Sequence, residues 1–158
     1  MKSWKIIVIV LAVVLALVAM FVFAFQGVQN TAISYEEQIG TAQSDINVQE
    51  KRRADLIPNL VETVKGYAKH EEGTLTAVIE ARNKAVSASS VNDKVDANNQ
   101  LTGALNKLFA LSEAYPELKA NVNFQQLSTE LTGTEDKIAY ARQFYNDTVQ
   151  MFNTEILK

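Results

Sequence analysis

The chain has 158 residues, enough for one domain of ordinary size. Of its 15 basic residues, Lys2 and Lys5 precede the first apolar run, leaving 13 against 18 acidic ones, a balance that argues against nucleic acid as a partner because phosphate binding needs a basic surface. Cysteine is absent, which removes disulfides, thiolate catalysis and sulfur-ligated metals together.

The first element is Ile6 to Phe25, an uninterrupted run of apolar side chains. At 1.5 Å per residue its 20 positions span about 30 Å, the thickness of a bilayer's hydrocarbon core. In lipid only a helix satisfies its own backbone groups, so the run predicts a single transmembrane helix whose partner is the lipid bilayer. A cleaved signal peptide would carry a shorter apolar core followed by small residues, whereas Phe21, Phe23 and Phe25 lead into Gln26-Gly27-Val28. Residues 1–29 are therefore expected to form a membrane anchor and 30–158 a helical domain. Lys2, Lys5 and the amino terminus precede the span, while the first charges after it are Glu36 and Glu37. The positive-inside rule then places the N-terminus in the cytoplasm and the domain outside, with Trp4 at the interface.

Beyond the span there are only six glycines and two prolines, and apolar residues recur at helical spacing. A first helix is expected over about Ser34 to Arg53, with a capping-box pattern at Ser34 and Glu37, and with room for a break from the span near Asn30 and Thr31. A second starts near Pro58, a residue suited to a first turn, and runs to about Ser87 with Val61, Val64, Ala68, Leu75, Val78, Ile79 and Val86 on one side. A third, Asn92 to Tyr115, presents Val95, Leu101, Leu105, Leu108, Phe109 and Ser112 before Pro116. The fourth, from Phe124, carries Leu127, Leu131, Thr134, Ile138, Ala141, Tyr145, Thr148 and Phe152 in alternating steps of three and four. No lone helix in water buries such stripes. The fold class read from them is all-α: an N-terminal single transmembrane helix followed by an elongated antiparallel helical bundle of about four helices.

Candidate chemistry is sparse. His70 is the only histidine and lacks the partner that a zincin or di-iron motif requires, so no metal and no cofactor is expected. Hydroxyls have no histidine at a telling spacing, and Glu36-Glu37 and Glu71-Glu72 point in diverging directions. Lys51-Arg52-Arg53 lies about 26 positions past Phe25, roughly 39 Å if helical, too far to reach lipid headgroups; pairing with acidic side chains is expected instead. More telling, Gln49, Arg53, Glu71, Thr134 and Arg142 fall on or beside the apolar stripes. They read as a polar core layer fixing helix register, or as a polar groove that takes a ligand or partner. Gly66, Gly73, Gly103 and Gly133 sit in the helical pattern, explained by close approach of helix backbones or by local flexibility.

Two stretches then carry a resemblance. RRADLIPNLVETVKGYAKHEEGTL, residues 52–75, resembles the signature of the LemA family, and residues 98–156, beginning NNQLTGALNKLFALSEAYPELKANVNF, are similar to that family's C-terminal half. The N-terminal membrane helix is a shared feature. The resemblance implies a bacterial-type membrane protein with an antiparallel helical bundle, no enzyme activity and no transferable catalytic residues. It also implies a short N-terminus outside, opposite to the charge rule. Relatives continue with a Phe-Pro segment where this chain stops at Leu157-Lys158, so a shortened last helix or tail is expected. The functional reading is an adaptor or scaffold for an unidentified membrane or envelope protein. Its alternative is a binder of a small molecule or lipid in a groove between helices; self-association fits either.

Overall fold

The computed structural model describes residues 2–156; Met1, Leu157 and Lys158, and with them the expected shortened end, lie outside the described residues. Five helices follow in chain order: α1 (Lys2–Lys65), α2 (Glu72–Ser87), α3 (Val91–Ser112), α4 (Pro116–Lys119) and α5 (Val122–Ile156). All regular structure among the described residues is helical. The fold divides into two compact units, Met1–Ala42 with Phe144–Lys158, and Gln43–Gln143.

The core of the second unit is built from five helices and one turn. Ile57, Leu60, Val61 and Val64 of α1 and Ala68 of the following turn meet Leu75, Val78 and Ala81 of α2. Leu101, Leu105 and Leu108 of α3, Leu118 of α4, and Phe124 and Leu131 of α5 complete it. Phe109 and Phe124 meet edge to face with ring centroids 6.4 Å apart, the arrangement favoured by aromatic quadrupoles. Each buried Leu or Ile contributes about 1.5–3 kcal/mol of transfer free energy, so this cluster supplies the main drive for assembly.

Two sequence expectations about helix boundaries are corrected. The break near Asn30 and Thr31 does not occur, since α1 is continuous from Lys2 to Lys65. The second helix does not start at Pro58, which lies inside α1; the break falls between Lys65 and Glu72 instead. The reason is a tertiary hydrogen bond. Proline has no N–H to give to the carbonyl four residues earlier, that of Ala54. Arg82 of α2 donates its Nε–H to that same carbonyl at 2.8 Å, replacing the missing bond. Arg82→Met is therefore expected to destabilise by about 1–2 kcal/mol through the orphaned Ala54 carbonyl. In a Pro58→Ala background, where the backbone N–H is restored, the same change should cost almost nothing. Urea unfolding of the four chains checks this, and equal costs in both backgrounds would refute it.

The glycine reading also fails in its first form. A Cβ built at Gly73, Gly103 or Gly133 meets nothing within 4 Å, so no helix backbone crowds these positions. At Gly66 the nearest atom is the carbonyl of Thr63 at 3.4 Å, in its own chain turn. Gly103→Ala, at an exposed site inside α3, is thus expected to raise stability by about 1 kcal/mol, read as a higher unfolding midpoint.

At the other end of α3, Ser90 caps the helix by accepting from the Asp93 amide at 3.1 Å. Ser112 closes its last turn onto the Phe109 carbonyl at 2.6 Å. Of the expected second-helix stripe, Leu75 and Val78 are buried, while Ile79 and Val86 face solvent, as does Val95 of the third. In α5 the stripe is observed at Phe124, Leu131, Thr134, Ile138, Ala141 and Thr148, all buried.

Candidate functional site

Arg53 is 1% exposed, the largest fully buried side chain in the molecule's described part. It leaves α1 on the same face as Ile57 and Leu60, one turn before the apolar core begins, so its long stem packs while its head needs partners. Those partners come from two other helices. Nη1 donates to Thr102 Oγ1 of α3 at 3.1 Å and to the Glu135 carboxylate of α5. Nη2 donates to the Asn98 carbonyl at 3.2 Å and to Asn98 Oδ1.

The partners are themselves held. Thr102 Oγ1 lies 2.9 Å from Glu135 Oε1 and 3.0 Å from the Asn98 carbonyl, either of which accepts its proton. Asn98, 3% exposed, donates its Nδ2 to the Lys94 carbonyl at 2.9 Å, which aims its oxygen at Arg53. Nearby, Arg142 Nη2 of α5 donates to Glu50 Oε1 of α1 at 3.0 Å, both side chains largely buried. Burial pushes the Arg53 guanidinium below its usual range, and Glu135 and then Glu50 pull it back up. An arginine keeps its proton at any ordinary pH, so the charge is real and must be neutralised in place.

Of the five residues singled out from sequence, the structure therefore brings three near one another: Gln49, Arg53 and Arg142. Gln49 stands one turn before Arg53, and its Oε1 is buried without a hydrogen-bond partner among the described residues, as is Arg53 Nε. Thr134 is buried but turns its hydroxyl back onto the Leu131 carbonyl at 2.8 Å, within its own helix. Glu71 lies elsewhere, in the connection between α1 and α2, where it accepts from Tyr115 Oη at 3.1 Å. That bond holds the Tyr115 hydroxyl above its ordinary range, since ionisation would set two negative charges side by side. In the same connection Tyr67 Oη accepts from Asn121 Nδ2 at 2.9 Å. The basic triplet behaves as expected: Arg52 pairs with Glu130 at 3.1 Å and Arg53 with Glu135, while Lys51 is exposed.

Sequence reasoning missed Glu50, Asn98, Thr102 and Glu135. Asn98 carried a signal, because 98, 101, 105, 108 and 112 step by three and four and place a polar residue at the head of the α3 stripe. Glu135 and Thr102 each sit one position off a stripe, where only a partner's reach decides their role.

The two carboxylates of this cluster are occupied by arginines, Glu135 by Arg53 and Glu50 by Arg142, so the bonds tie α1 to α5. Among the described residues no three His, Asp or Glu side chains gather as a metal site. His70 is exposed in the connection between α1 and α2. The second unit also carries surface grooves. One of about 390 Å³ runs over Asn47, Glu50, Lys51, Arg82, Lys94 and Asn98, so two members of the polar cluster form its floor. Another, about 500 Å³, lies between the end of α1 and α2, with Val61, Leu75 and Ile79 as its apolar floor and Glu62, Lys65, Lys69 and Glu72 as its rim.

Residues 42–158, which include the whole of this cluster and both grooves, match the LemA family. The chain belongs to the LemA family. It is 31% identical over 143 residues to "Protein LemA" of Metamycoplasma hominis, covering 88% of this chain and 64% of that relative. It is 25% identical over 155 residues to "Magnetosome protein MamQ 2" of Paramagnetospirillum magneticum, covering 82% and 57%. A third relative, "Magnetosome protein MamQ" of Magnetospirillum gryphiswaldense, is 25% identical over 171 residues, covering 92% and 62%. The chain thus spans about three fifths of the length of these curated relatives. As a LemA-family member it is a membrane-associated helical protein, and among the described residues one helix, near the N-terminus, is long and apolar enough to cross a bilayer.

Proposed function

We propose that this LemA-family chain is a membrane-anchored, non-enzymatic adaptor, whose helical bundle presents a surface to another membrane or envelope protein. The observation that carries the reading is the groove between the end of α1 and α2. There Ile79 stays 41% exposed beside Val61 and Leu75, rimmed by charges of both signs. An apolar floor with a charged rim is what an amphipathic partner helix buries. The interior polar cluster, in contrast, has its charges already paired. The bundle is placed outside the cytoplasm on the charge asymmetry around the span, which protease accessibility in intact cells and spheroplasts tests.

The test of the adaptor reading is a photo-crosslinking residue at position 79 in the full-length chain in native membranes. One reproducible adduct from position 79, absent with the crosslinker at exposed Asn106 of α3, is the expected result. Equal or no adducts from both positions would dispose of it.

A second reading has its own support. The groove over Glu50 and Asn98 has a polar floor continuous with the Arg53 cluster, fit for a small polar ligand. A ligand there raises the unfolding midpoint, and screening envelope metabolites for such a shift decides the matter.

A further inference from the structure

The first unit contains a groove of its own, about 260 Å³, between the early part of α1 and the last turns of α5. Phe23, Ala24, Gly27, Thr31 and Tyr35 of α1 and Glu155 of α5 line it. Its chemistry changes along α1. Phe23 and Ala24 belong to the apolar run that ends at Phe25, whereas Thr31 and Tyr35 follow about 9 and 15 Å beyond that end. The headgroup layer on each side of a bilayer is roughly 5–8 Å thick, so the groove starts at hydrocarbon depth and passes through the headgroups.

Its electrostatics are one-sided. On α1 no lysine or arginine occurs from Ile6 to Glu50, and on α5 none from Gln143 to Ile156. Over the same stretch of this unit stand Glu36, Glu37, Asp147 and Glu155. Among the described residues the groove offers nothing to pair with a phosphate, and its one charged side chain is the Glu155 carboxylate. Thr31 has spent its hydroxyl proton on the Gly27 carbonyl at 3.0 Å, which leaves its oxygen as an acceptor. The ring of Tyr35, half-buried at the outer end, adds an electron-rich face. Acceptors, a carboxylate and an aromatic ring together fit an ammonium group above an acyl chain.

We infer that this groove binds one phospholipid with an amine headgroup, its acyl chain against Phe23 and Ala24 and its ammonium on Glu155. Gly27 lines the groove, and a Cβ there would meet nothing within 4 Å, so the position is open to a larger side chain. The inference rests on Ile6 to Phe25 crossing the bilayer.

The test uses the full-length chain reconstituted into vesicles of equal phosphatidylethanolamine and phosphatidylglycerol, then extracted in mild detergent. Native mass spectrometry counts the retained lipids. Wild type is expected to keep ethanolamine lipid over glycerol lipid by a ratio of up to about five, the scale of one exposed ion pair. Glu155→Gln should bring the ratio to parity, and Gly27→Leu should remove the bound lipid of either kind. Parity in the wild type, or a preference that survives Glu155→Gln, overturns the inference. Co-flotation of the chain with the vesicles is scored in parallel. A chain that fails to float refutes the membrane reading itself, whereas one that floats without headgroup preference refutes the lipid site alone.

Discussion

Phe124→Ala is expected to be among the most damaging single changes, lowering stability by about 3–5 kcal/mol. Phe124 is 5% exposed at the start of α5, where its ring meets Phe109 edge to face and closes the core between α3, α4 and α5. Truncation removes the transfer free energy of the ring and the aromatic contact, and leaves a void that the short α4, held by Leu118, has little freedom to fill. Chemical unfolding of the full-length chain in mild detergent measures it. A loss under 1 kcal/mol would mean that this end of the core collapses freely around the gap. Phe124→Leu, which keeps most of the volume, should lose less than half as much.

Glu135→Leu should cost about 3 kcal/mol by a different route. It strands the buried Arg53 charge, and breaking one partner of a buried pair typically costs 3–5 kcal/mol. The lower end applies because Glu135 is itself two-fifths exposed and Arg53 keeps Asn98 and Thr102. The diagnostic is the double variant Arg53→Met with Glu135→Leu. With both charges gone the penalty should fall by at least half, giving a coupling of about 1.5–3 kcal/mol in a double-mutant cycle. Strict additivity would show that Arg53 and Glu135 act independently, and the polar cluster would lose its meaning as a unit.

How far the sequence foretold this architecture depends on the range of the interaction concerned. The membrane-length run at Ile6 to Phe25 and the α5 stripe from Phe124 to Thr148 were legible, because spacing along one helix encodes which side is apolar. Arg53 was legible as a charge on an apolar face. Its partners were not: Glu135 lies 82 positions away and Asn98 45, and nothing local distinguishes them from solvated residues. The same holds for Pro58. Read locally it starts a helix, yet α1 runs through it because Arg82, from a later helix, bonds the carbonyl that proline leaves bare. The glycines show the reverse error, in which a residue type invited a contact that the packing does not contain.

The long separations inside the Arg53 cluster also set an order of events. Neighbouring helices such as α2 and α3 meet across a connection of only a few residues, so their contacts close early at small entropic cost. The guanidinium can meet Glu135, 82 positions away, only where α1 and α5 have converged, so its bonds are expected on the native side of the folding barrier. Stopped-flow traces of Glu135→Leu should accordingly show a near-normal refolding rate and an accelerated unfolding arm. The ion pair then acts as a late latch that lengthens the lifetime of the folded bundle rather than guiding the chain toward it.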